Sequence, residues 1–129
     1  LSPSMDIQVS SNFERLVYDL LDRNGEKTRA LFETFSKTGK LKVPEEAFAK
    51  AREKFVSYAV DDLTTLRTMR QVFEMTDILP DPHTAVGIEA ARKMNQRADI
   101  PMVVLSTAHP AKFRQACLEA VNHAAPLPL

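Results

Sequence analysis

The stretch that most constrains this chain is Pro101-Met-Val-Val-Leu-Ser-Thr-Ala-His-Pro110. Met102 to Leu105 form an unbroken apolar run with two β-branched residues. It is too short for a stable helix and typical of a strand buried on both faces. Ser106, Thr107 and His109 follow at once, and Pro110 suits the first turn of a helix, where its missing N–H costs nothing. Phe113, Ala116, Cys117, Ala120 and Val121 then recur at helical spacing, a stripe able to pack back onto a sheet. The order is therefore a buried strand over 102–106, a polar turn and a helix, which predicts a mixed α/β architecture. In open α/β sheets ligands bind beyond the carboxyl ends of the strands. Ser106 and Thr107 stand at such an end with hydroxyls that donate and accept. The plainer reading of the same residues is a polar strand end with a capping hydroxyl.

Most of the remaining sequence is helical in pattern. Met5 to Val9 alternates apolar and polar and predicts a second short strand over 5–9. Ser11-Asn-Phe-Glu14 matches a capping box with Ser11 as N-cap, ahead of a stripe of Phe13, Leu16, Val17, Leu20 and Leu21. The first turn of that helix offers backbone N–H groups to an anion, with Arg15 close enough to join them. Helices follow over 26–36, from Pro44 (buried side Phe48, Ala51 and Phe55), and from Asp61-Asp62 (Leu63, Leu66, Met69, Val72 and Phe73). Asp81-Pro-His-Thr84 opens another that runs to about Arg97: Asp81 caps, Pro82 takes the first position, and His83 and Thr84 fall in the first turn. A histidine there is disfavoured as a cation by the helix dipole, so a neutral His83 is expected, able to donate one hydrogen bond to a ligand. Small residues at 85, 87, 90 and 91 permit close packing on that helix. In all, about six helices surround one or two strands, a predominantly helical α/β chain.

Composition and motif spacing exclude several functions. Basic and acidic residues balance at 17 each, so nothing in the charge favours nucleic acid or an anionic membrane. No apolar run approaches the roughly 20 residues that span a bilayer, and no signal peptide opens the chain, so a cytoplasmic location is expected. Cys117 is the single cysteine, and the three histidines are not at metal-ligand spacing, so no metal site is expected. With three glycines there is no dinucleotide or P-loop signature, and no Gly-x-Ser-x-Gly elbow surrounds Ser106. A length of 129 residues suits one domain. Leu1 at one end and the proline-spaced Ala124-Ala-Pro-Leu-Pro-Leu129 at the other read as a piece of a longer chain. Spacing alone thus yields three polar helix starts and no named reaction, and a free-standing helical binding or scaffold module without an active site remains open.

Three strings carry a resemblance: Ser4-Met-Asp-Ile-Gln-Val-Ser-Ser-Asn-Phe-Glu-Arg15, Asp81-Pro-His-Thr-Ala-Val-Gly87 and Leu105-Ser-Thr-Ala-His-Pro-Ala-Lys-Phe113. In this order they resemble the C-terminal region of threonine synthase in its longer bacterial and fungal form, over essentially the whole chain. The resemblance implies a C-terminal fragment of a fold type II, tryptophan-synthase-β-like enzyme that uses pyridoxal 5'-phosphate (PLP). Residues 1–123 would be part of the catalytic fold, 26–76 a helical insertion, and 124–129 a linker or tail. The parent activity it implies is conversion of O-phospho-L-homoserine and water to L-threonine and phosphate, with the cofactor as electron sink. It further implies that Thr107, with Ser106 second, hydrogen-bonds the cofactor's pyridine nitrogen. Ser11, Asn12 and Arg15 would hold the substrate's phosphate or carboxylate, and His83 and Thr84 would line the cofactor or substrate pocket. No catalytic residue is expected in this segment: none of its eight lysines sits in the context of the family's cofactor lysine, and the cofactor-phosphate loop is absent. The segment alone should be inactive and needs the rest of its own chain as partner. A related PLP-dependent lyase acting on another amino acid is the alternative within the same fold type.

Overall fold

The computed structural model of the chain describes residues 9–94 and 99–127. These divide into two compact units, residues 9–57 and residues 58–127. Six α-helices and one 3-10 turn occur among the described residues. The strand expected over 5–9 lies outside them except for Val9.

The first unit holds α1 (Ser11–Leu20), α2 (Gly25–Thr38) and α3 (Glu45–Arg52). Of the stripe expected on α1, Val17 is completely buried and Leu16 and Leu20 are half-buried, while Phe13 is exposed and Leu21 follows the helix as its C-cap. Its start differs from the capping-box expectation. Ser10 is the N-cap, no side chain caps the helix, and Ser11 is its first residue. Two adjacent serines can each hold the cap position, and the register settles one residue earlier than the Ser11–Glu14 pattern suggests. α2 is capped by Asn24, whose side chain accepts from Lys27 N–H at 3.0 Å. It ends on Gly39 at φ +67°, the left-handed position that glycine takes without steric cost. α3 places Glu45 and Glu46 in its first turn and Lys50 and Arg52 in its last, each matched to the helix dipole. Its buried residue is Ala47. Phe48 and Phe55, expected inside, are 48% and 55% exposed. Three short helices leave room for one small contact side, and Ala47, Thr28 and Val17 fill it. Lys50 reaches across to Asp22 at 2.7 Å. The bond draws the Asp22 carboxyl below its ordinary range and the Lys50 ammonium above.

The second unit packs α4 (Asp62–Thr76), α5 (Pro82–Met94) and α6 (Arg114–Val121), the last preceded by the 3-10 turn Pro110–Phe113. α5 is described to Met94, and residues 95–98, into which it was expected to run, lie outside the described residues. The core is built from Met69, Ala85, Ala116, Cys117 and Ala120, with Leu66, Leu79, Phe113 and Val121 against them. Small side chains on α5 and α6 let these helices approach α4 closely. Leu63, expected on the same stripe, is exposed, and Thr65 and Thr68 take buried positions instead. Burial of a hydroxyl requires a partner. Thr65 donates to Asp61 O at 2.8 Å, and Thr68 to Glu89 at 3.3 Å. Arg70 Nε donates to Ala120 O at 2.6 Å, serving a carbonyl that the end of α6 leaves unpaired. Cys117 is a core residue as expected; its burial pushes the thiol above its ordinary range.

The strand expected at 102–106 is where the structure differs most. The segment is extended, yet no ladder forms among the described residues, and Val103 and Leu105 are 78% and 76% exposed rather than buried. A strand's N–H and C=O groups need a lateral partner, and none of the described segments supplies one. Only Val104 turns inward, where its Cγ1 lies 3.1 Å from the place a Cβ on Gly87 would occupy. Among the described residues the architecture is predominantly helical.

Asp61 caps α4 by accepting from Thr64 N–H at 2.7 Å, which holds its carboxyl below the ordinary value. Its stabilising effect is complete above the ordinary value of 3.8 and is lost as pH falls through the lower folded-state value. Asp61→Asn keeps an acceptor but does not titrate. The stability difference between parent and variant, measured by urea unfolding, should therefore shrink as pH drops below 3.8; a pH-independent difference contradicts the assignment.

Candidate functional site

At the start of α5 the sequence Asp-Pro-His-Thr builds a polar cluster around one carboxylate. Asp81 is 1% exposed. Its Oδ1 accepts from His83 N–H at 3.0 Å and, at a longer 3.4 Å, from Thr84 N–H, the N-cap pattern expected for this residue. Pro82, at the first helical position, has no N–H to compete. Two side chains complete the local set: His83 Nδ1 meets Oδ1 at 3.0 Å, and the Thr84 hydroxyl donates to Oδ2. The His83 ring is 6% exposed and stands edge-on to Phe113 with centroids 4.7 Å apart.

A carboxylate only accepts, so His83 Nδ1 is the donor in its bond to Asp81 Oδ1. Thr84 is similarly committed. Its single proton goes to Asp81, and its oxygen accepts from Thr107 N–H at 3.2 Å. Ala108 N–H reaches Asp81 Oδ2 directly, at 3.4 Å.

Ser106 and Thr107 are thereby brought beside His83 and Thr84 in one unit. Both are exposed, not sealed in the interior, and their hydroxyls find no partner among the described residues. After them, His109 caps the 3-10 turn through Nδ1, accepting from Ala111 N–H at 3.2 Å. The polar turn between strand-like segment and helix therefore has its backbone fixed and its hydroxyls presented outward.

Ser11, Asn12 and Arg15 lie in the other unit, at the first turn of α1, all exposed. Arg15 donates to the Asn12 side-chain oxygen. Ser11 and Arg15 line an open groove between α1 and α2, with Tyr18, Thr28, Arg29 and Phe32, while Glu14 and Glu33 add negative charge to it. No cluster of three or more metal-ligating side chains occurs among the described residues, and none of their helices is long and apolar enough to cross a membrane.

Sequence reasoning missed Asp81 as more than a cap. The available signal was an acidic residue directly before the helix-opening proline, followed by two more groups able to donate. Its link to Ala108, 27 residues away, has no sequence signature.

Comparison with known proteins agrees with the motif strings. A family described as "Threonine synthase, C-terminal" matches residues 84–129. Threonine synthase of Pseudomonas aeruginosa is 47% identical over 129 residues, which are 99% of this chain and 28% of that protein. The crystal structure of PLP-bound threonine synthase from Brucella melitensis superposes with a TM-score of 0.87 at 38% identity, over 98% of this chain and 27% of that one. Threonine synthase from yeast superposes with a TM-score of 0.83 at 34% identity, covering 94% of this chain and 27% of that one. The chain therefore resembles the C-terminal region of threonine synthases along nearly its whole length, and it spans little more than a quarter of the relatives it matches.

The 3.1 Å approach of Val104 to Gly87 sets how closely the segment before Ser106 lies on α5. Gly87→Val should overpack this contact and destabilise the fold by about 1–3 kcal/mol, read by denaturant unfolding; an unchanged midpoint would mean that the segment does not rest there.

Proposed function

We propose that this chain is the C-terminal part of a PLP-dependent threonine synthase, a carbon–oxygen lyase that converts O-phospho-L-homoserine and water to L-threonine and phosphate. The observation that carries the proposal is the pair of outward-facing hydroxyls at Ser106 and Thr107, held by their backbone against the first turn of α5. It is supported by the 38% identity and matching fold of a protein described as a PLP-bound threonine synthase.

The residues fit the ring end of the cofactor and not its other attachments. A hydroxyl without a protein partner suits a pyridine nitrogen, whereas no lysine here sits in the context that would carry the cofactor. When bound, PLP supplies the electron sink for eliminating the substrate's phosphate and adding water. Thr107, or Ser106 in its place, would donate a hydrogen bond from its hydroxyl to the ring nitrogen; a neutral hydroxyl there, rather than a carboxylate, would moderate the electron sink and suit elimination and replacement. His83 and Thr84 form the wall beside these hydroxyls. At the start of α1, Ser11, Asn12 and Arg15 grip the substrate's phosphate or carboxylate: the guanidinium supplies charge, and the first-turn N–H groups, which no side chain caps, supply further donors. The rest of the parent chain brings the cofactor lysine and the phosphate loop, so the segment alone is inactive. In this reading residues 26–76 are a helical insertion, 124–129 a linker or tail, and the parent enzyme is cytoplasmic.

In the full-length parent, Thr107→Val should weaken PLP binding by roughly tenfold, the worth of one hydrogen bond to a buried group, with the fold intact. Unchanged affinity would remove Thr107 from the site. Arg15→Ala should raise KM for phosphohomoserine more than it lowers kcat, as expected for a residue that grips substrate and transition state alike. Phosphate release from phosphohomoserine, and none of the products of a serine or threonine lyase, is the expected activity. The reverse result would assign another lyase of the same fold type.

A further inference from the structure

The geometry points to Asp81 as the positioning residue for the proposed cofactor hydroxyl: its buried carboxylate ties the 106–108 turn to the first turn of α5. The inference rests on the reading of Thr107 given above and adds a residue to that site. Two routes run from Asp81 to the turn. Oδ2 accepts from Ala108 N–H at 3.4 Å, and it also orients the Thr84 hydroxyl, whose oxygen accepts from Thr107 N–H at 3.2 Å. Direction matters in the second route. Thr84 has one proton and gives it to Asp81, so its lone pair is the group turned to Thr107. With both amides engaged, the backbone of Thr107 cannot rotate freely, and its side chain is left to face outward. Asp81 touches neither Oγ of Thr107 nor Oγ of Ser106; it acts through the backbone.

An ordinary helix cap would need only the bonds to His83 N–H and Thr84 N–H, which an asparagine could also accept. Asp81→Asn therefore separates the two roles. Its Oδ1 can keep the cap, while its amide group presents N–H toward Ala108 N–H, donor against donor. In the full-length protein without cofactor, hydrogen exchange of the Thr107 and Ala108 amides should rise about tenfold in Asp81→Asn, with α4 and α6 unchanged. The dissociation constant for PLP, from a fluorescence titration, should rise severalfold. Thr84→Val should reproduce the rise at the Thr107 amide and the weaker PLP binding by removing only the hydroxyl link, and Thr84→Ser should restore both. The Thr84 pair also decides the matter if Asp81→Asn fails to fold.

Exchange and PLP affinity unchanged in both Asp81→Asn and Thr84→Val would overturn the inference. So would a rise in exchange spread evenly over α4, α5 and α6 that Thr84→Ser does not rescue, because Asp81 would then be a stability residue alone. If exchange rises locally while PLP affinity holds, the behaviour of Thr107→Val separates the cases. When Thr107→Val weakens binding, the positioning role of Asp81 is overturned. When Thr107→Val is also silent, it is the assignment of Thr107 to the cofactor that falls.

Discussion

A carboxylate taken out of water must be met by donors, and Asp81 is met by five: two backbone N–H groups of its own helix, the His83 ring, the Thr84 hydroxyl and the N–H of Ala108. The first four are local and follow from Asp-Pro-His-Thr folding as a helix start. The fifth is tertiary. It joins α5 to the turn before α6, and the small residues of the core beneath, Ala85, Ala116 and Ala120, let those elements come close enough for it to form. Loss of the carboxylate would leave several buried donors with no acceptor at once, which is why this cluster, rather than any one apolar contact, organises the polar end of the second unit.

The helices were readable in the sequence because their apolar residues recur at the helical period and their ends carry recognisable residues: Asp61, Asp81 and Pro110 at starts, Gly39 at an end. The core of the second unit followed from the same periodicity, Met69, Ala116, Cys117 and Ala120 included. What failed was anything that depends on a neighbour. Phe48 lies on α3 and Phe55 just beyond its end, but of this segment the small three-helix unit buries only Ala47. The run Met102–Leu105 has the composition of a buried strand, yet burial requires a sheet, and the described residues contain no strand to lie beside it. Val103 and Leu105 are accordingly exposed.

The candidate site was legible as a set of residue types and not as a network. Ser106, Thr107, His83 and Thr84 stand out because polar groups follow apolar runs at the starts of helices. That Thr84 accepts from Thr107, and that His83 gives its Nδ1 proton to Asp81, emerges only from the fold. The same bonds change the chemistry assigned to these side chains. Thr84 has no proton to spare for a ligand, and His83 Nδ1 is committed to Asp81. The hydroxyls of Ser106 and Thr107, by contrast, are exposed and can donate or accept.

The most direct measurement is the structure of the full-length protein with PLP bound. The account predicts the hydroxyl oxygen of Thr107, or that of Ser106, at hydrogen-bonding distance from the pyridine nitrogen, about 2.5–3.2 Å, with Thr107 N–H still on Thr84. A carboxylate or a water molecule in that place, with both hydroxyls turned away from the ring, would contradict it.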